Sequence, residues 1–70
     1  MYGAIEDLDE AIRLDPKDYQ YYANRAQLLH QLKSYAAEIR DLEAAMERAP
    51  ARHHDELRRE IAEARSLLGK

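Results

Sequence analysis

Seventy residues with a formal charge of -3, no cysteine and no apolar run near the roughly 18–20 residues of a membrane span exclude a disulfide framework, a thiolate metal site and a transmembrane helix. The acidic balance argues against nucleic acid, whose binders need a basic face to displace counterions. Strand-forming residues amount to four isoleucines and five tyrosines, while 12 alanines and nine leucines favour helix, so the fold is expected to be all-α.

Taken in chain order, residues 4–14 place Ile5, Leu8, Ala11, Ile12 and Leu14 along one helical stripe. Asp15-Pro16-Lys17-Asp18 reads as a turn, with Asp18 positioned to cap the following helix by accepting a bond from a free backbone N–H. That helix is predicted over 19–32, with Tyr22, Ala26 and Leu29 on one side and Tyr21, Arg25, Leu28 and Leu32 beside them. Lys33-Ser34 forms the next break, with Ser34 as a candidate cap. A third helix, 35–48, carries Tyr35, Ile39, Leu42, Ala45 and Met46 on one face. After Ala49-Pro50-Ala51 a fourth helix is expected over 53–68. Its apolar stripe is Leu57, Ile61, Ala64 and Leu68, its opposite face holds Glu56, Arg59, Glu60 and Glu63, and Gly69 is its stop. Gly3 punctuates the other end. Connections this short make successive helices antiparallel hairpins.

Charge is uneven along the chain: residues 1–16 set five acids against Arg13, whereas the remainder is close to balance. Solvated helix faces account for this, and head-to-tail complementarity between copies is the alternative. An internal repeat is also visible. Pro16 and Pro50 are 34 residues apart, and the same shift places Ile5 on Ile39, Asp7 on Asp41, Leu8 on Leu42 and Ala11 on Ala45.

A 34-residue helix–turn–helix period closed by proline resembles the tetratricopeptide repeat family. Tyr22 stands at its first aromatic position, Ala26 at the small one, and Leu29 in place of the second aromatic; Leu42, Ala45 and Pro50 fill the later slots. The resemblance implies an α-solenoid of about four helices in antiparallel hairpins. Residues 1–16 would be the second helix of a truncated preceding repeat, 17–50 one complete repeat, and 51–70 a C-terminal capping helix. The chain departs from the pattern in three places. Glu38 occupies a slot where the family has alanine, so it either reaches solvent or pairs with a base, for which Arg25 is the candidate. Lys33 replaces the glycine usual between the helices, which points to a looser turn. The last helix carries Asp55, Glu56 and Arg59 where a repeat would bury apolar groups, and so looks like a cap that shows charge to water.

By this resemblance the first helices of stacked repeats line a concave groove that binds a peptide segment of a partner protein. The groove residues would be Gln20, Ala23, Asn24, Gln27, His30 and Gln31, with His54 and Arg58 from the last helix. The segment around Asn24 also looks like part of the carboxylate clamp of chaperone-binding members, with Arg58 supplying a base and His54 replacing the second. An alternative class of function is homo-oligomerisation: a chain of this size rarely builds a core worth more than about 3–5 kcal/mol alone. Ile5, Leu8 and Ile12 would then form an open apolar strip through which two copies dimerise. His53-His54-Asp55 and the lone His30 follow no metal-ligand spacing, and no phosphate loop or nucleophile elbow is present. The expectation is therefore a protein-binding module, not an enzyme, with no metal, no cofactor, and no nucleic-acid or membrane partner. The absence of cysteine and of a basic, apolar leader is compatible with a cytoplasmic location.

Overall fold

The computed structural model describes residues 4–70, so Gly3 and the start of the first expected segment lie outside the described residues. Four helices follow in order: α1 (Ala4–Leu14), α2 (Tyr19–Gln31), α3 (Tyr35–Arg48) and α4 (His54–Leu68). A single 3-10 turn, Ala51–His53, precedes α4 and moves its start one residue beyond the expected position. Extensive packing links chain neighbours, α1 with α2, α2 with α3 and α3 with α4. The Cα atoms span 34 × 30 × 14 Å, the slab of an open stack of hairpins.

Polar chemistry closes each connection. Asp18 caps α2 as expected, its Oδ1 accepting the Gln20 N–H at 2.9 Å. At the other end of α2, Ser34 N–H donates to the Leu29 carbonyl at 2.8 Å and Lys33 N–H to the His30 carbonyl at 3.0 Å. These two bonds are the paired closure of a Schellman motif. The motif requires a left-handed residue, and Lys33 supplies it with φ 61°. The turn is thus tight, contrary to the looser one expected from the missing glycine. Ser34 does not cap α3 with its hydroxyl; its backbone N–H serves α2 and its carbonyl accepts the Glu38 N–H at 2.9 Å.

The core is drawn from three helices: Tyr22 and Ala26 of α2, Ile39, Leu42 and Ala45 of α3 with Ala49 beyond it, and Leu57, Ile61 and Ala64 of α4. Leu42, Ala45 and Ala64 are completely enclosed. No residue of α1 is fully buried, although Ile12 packs against this cluster. Leu14, Leu32 and Leu68, all expected on or beside apolar stripes, are more than half exposed, because each sits at a helix end past the reach of its neighbour.

Two carboxylates enter the same core face of α3, and α2 answers both. Arg25 grips Asp41 through Nε and a terminal nitrogen, each at 2.8 Å, and also reaches Asp9 of α1. Glu38, only 4% exposed, is met by His30 Nδ1, 3.0 and 3.1 Å from its two oxygens. The expected Arg25–Glu38 pair is therefore replaced by two others. In an antiparallel hairpin, residues equidistant from the turn meet. Arg25 and Asp41 are each eight positions from Lys33. Reaching Glu38 would need a slide of three residues, about 4.5 Å of helix rise. Tyr22 is held between Arg25 and Arg48, whose guanidinium carbons lie 5.8 and 4.5 Å from its ring centre. Arg48 also donates to the Pro16 carbonyl at 2.6 Å, tying the end of α3 to the α1–α2 turn.

The left-handed lysine generates a direct prediction. Lys33→Gly relieves about 1 kcal/mol of backbone strain, since only glycine enters this region without a Cβ penalty. For a domain of this size the melting midpoint should rise by roughly 4–8 °C. An unchanged or lower midpoint would show that Lys33 stabilises the turn in another way.

Candidate functional site

Because each short connection reverses the chain, α2 and α4 run in the same direction on either side of α3. Between them lies a trough of two adjoining cavities, about 440 and 360 Å³, which share Gln27 and Glu60. One wall comes from α2. Gln20, Asn24, Gln27 and Gln31 recur at helical spacing along it, with Tyr19 and Ala23 at one end and His30 at the other. The opposite wall comes from the start of α4 onward: His53, Glu56, Leu57 and Glu60 line the first cavity, and Glu60 and Glu63 the second. Glu38 of α3 contributes to the floor of the second. The Tyr19 and His53 rings face each other across one end, 5.2 Å between centres.

The six α2 residues assigned to a groove from the sequence thus share one trough. His54 and Arg58 line neither cavity. His54 Nε2 lies 3.0 Å from the Ala49 carbonyl, and Arg58 reaches its neighbour Asp55 at 3.0 Å in solvent. Carrying groove positions forward by 34 residues assumes that α4 docks as α2 does. It does not: α2 buries Tyr22 and Ala26, whereas α4 buries Leu57, Ile61 and Ala64 against the preceding α3. The positions equivalent to Tyr22, Ala26 and Leu29 become Glu56, Glu60 and Glu63, and these carboxylates turn into the trough. They lie on the face of α4 opposite its apolar stripe, where Glu56 and Glu63 are exposed as expected and Glu60 is half-buried. Asn24 consequently confronts acids, not the Arg58 and His54 bases that a carboxylate clamp would set beside it.

The trough is electrostatically one-sided. Four carboxylates, Glu38, Glu56, Glu60 and Glu63, line it without any lysine or arginine. Burial is the main cause that pushes the Glu60 carboxyl above its ordinary range, and the negative charges of Glu56, Glu38 and Glu63 add to it; His30 opposes the shift. Among the described residues no three His, Asp or Glu side chains converge as a metal site, and no helix is long and apolar enough to cross a membrane. Ile5, Leu8 and Ile12 lie away from the trough, half-covered on α1.

The raised Glu60 carboxyl has a signed consequence for stability. The folded chain holds this proton more tightly than the unfolded one, so stability drains as pH rises from the ordinary carboxylate range through the raised value. Glu60→Gln should therefore stabilise the protein at pH 7, by less than about 1 kcal/mol because Glu60 is only partly buried. The gain should vanish by about pH 3–4, where the carboxyl is neutral in both states. A variant whose advantage is the same at both pH values would contradict the raised carboxyl.

Comparison with known proteins agrees with this architecture. Residues 19–52, which span α2, α3 and the turn beyond them, match the family model described as the tetratricopeptide repeat. No curated protein and no solved structure matches the chain. Repeats of this family are protein–protein interaction modules, typically without enzymatic activity. The helix–turn–helix from Tyr19 to Arg52 is a tetratricopeptide repeat.

Proposed function

We propose that this chain binds a peptide segment of a partner protein in the trough between α2 and α4. The observation that carries the reading is the ladder of Gln20, Asn24, Gln27 and Gln31 along one wall. Among the described residues, none of these four side-chain amides is used in an internal hydrogen bond. An amide offers both donor and acceptor, which suits the alternating N–H and C=O groups of an extended backbone. The ladder is carried on one helix that buries Tyr22 and Ala26 in the core, so its spacing is set before binding. In this reading α1 serves as the second helix of a preceding repeat and α4 as a cap that closes one end of the stack.

A second reading, self-association through α1, draws on a helix none of whose residues is fully buried and on which Ile5, Leu8 and Ile12 stay half-covered. The two functions separate by mutation. Random peptides panned on the chain should yield binders that lose at least tenfold in affinity against Asn24→Ala/Gln27→Ala; binders indifferent to that change would refute the trough. Sedimentation equilibrium tests the α1 surface. A concentration-dependent dimer abolished by Ile5→Glu/Leu8→Glu supports it, and a folded species that stays monomeric over the whole range removes it.

A further inference from the structure

The acidic wall of the trough is a row of carboxylates outside the ion pairs of the protein. Among the described residues, the ion pairs engage Asp9, Glu10, Glu38, Asp41, Glu43, Glu47 and Asp55. None engages Glu56, Glu60 or Glu63. These three line the cavities on one side of α4, where the nearby His30 partly offsets the charge on Glu60. Burial is the main cause of the raised Glu60 carboxyl, with added repulsion from Glu56, Glu38 and Glu63. A cation entering the trough relieves that repulsion. The same charge repels an acidic segment, by the logic that gives charged interfaces their selectivity.

We propose that the occupant of the trough is a cationic stretch of a partner protein, extended and carrying two lysine or arginine residues within about four positions. The inference deepens the peptide-binding reading and rests on it. The size follows from helix geometry: Glu56 to Glu63 spans about 10.5 Å at the 1.5 Å rise of an α-helix. An extended chain covers that distance in about three residue steps. Its side chains alternate between faces, so basic residues at every second position point to the carboxylates. The backbone between them runs beside the amides of Asn24 and Gln27. A metal ion is the wrong cation for this surface, because its carboxylates are strung along a wall and do not converge. A long ammonium or guanidinium side chain reaches each in turn.

The test uses the whole chain and three capped seven-residue peptides of one design, with lysine, glutamine or glutamate at alternate positions. Binding is followed by NMR titration of the backbone amides. The lysine peptide should shift residues 20–31 and 53–63 and bind at least tenfold more tightly than the glutamine peptide, while the glutamate peptide should not bind. Glu56→Gln/Glu60→Gln/Glu63→Gln should weaken the lysine peptide by at least tenfold. A charge-matched control, Glu6→Gln/Asp7→Asn/Glu47→Gln, should change it by less than twofold. Equal losses in the two variants would mean diffuse attraction to an acidic protein and would overturn the proposal. So would preferential binding of the glutamine or glutamate peptide at the trough, an outcome that preserves the peptide-binding reading. Shifts confined to α1, or to a self-associated form that no peptide displaces, would overturn both. Because the peptide series is read on the unmodified chain, the proposal stays falsifiable even if the triple variant is poorly folded.

Discussion

The grip of Arg25 on Asp41, extended to Asp9, is the joint on which the rest of this structure depends. It joins three helices at one guanidinium, and burial of the Asp41 carboxylate makes the contact obligatory. Hydrogen bonding to Asp41 is the main cause that pushes the Arg25 guanidinium up from an already high range, so it stays charged throughout. A paired buried charge contributes little net stability compared with an apolar pair of the same shape, but removing one partner leaves the other uncompensated. Its effect is therefore one of register. The helices of this hairpin can slide only if Asp41 loses its base, and Glu38, one turn earlier on the same face, applies the same constraint through His30.

That register is what positions the trough. α3 packs against both α2 and α4, so its position decides how the amide ladder and the acidic stripe face each other across the trough. Small residues in the core, Ala26, Ala45 and Ala64, are buried together with Leu42, which is completely enclosed. A bulkier residue at any of them would widen the trough and loosen the core together. The surface on which recognition is proposed is thus a by-product of how α3 is buried, which ties function to the same few side chains that hold the hairpin.

Much of this was legible in the sequence. The apolar spacing and the two prolines located α1 and α3 to the residue, because Pro16 and Pro50 end each segment by steric exclusion and the stripes have no competing period. Asp18 was recognisable as a cap from its place after the turn. The α2 groove positions came from the family resemblance, and the structure sets those six residues along one trough. What escaped depended on relations between helices. Which of two acids Arg25 would meet follows from counting outward from the turn, a step that requires knowing the turn is tight. Lys33 concealed that, since a lysine gives no sign of a left-handed conformation. The α4 wall escaped because a repeat period transfers sequence positions but not the direction in which a helix is packed. α4 packs Leu57, Ile61 and Ala64 on α3, and that orientation sets Glu56, Glu60 and Glu63 along the trough and leaves His54 and Arg58 out of its lining.

The central claim, that the α2–α3 hairpin is registered by a charge pair in its core, is tested most directly by a double-mutant cycle. Arg25→Ala, Asp41→Ala and the double variant would be unfolded with denaturant and their stabilities compared with the parent chain. The account predicts a coupling energy of about 2 kcal/mol or more, each single change being costly and the second adding little once the first is made. Effects that add to within about 0.5 kcal/mol would show that the two side chains act independently, and the hairpin would then owe its register to apolar packing alone.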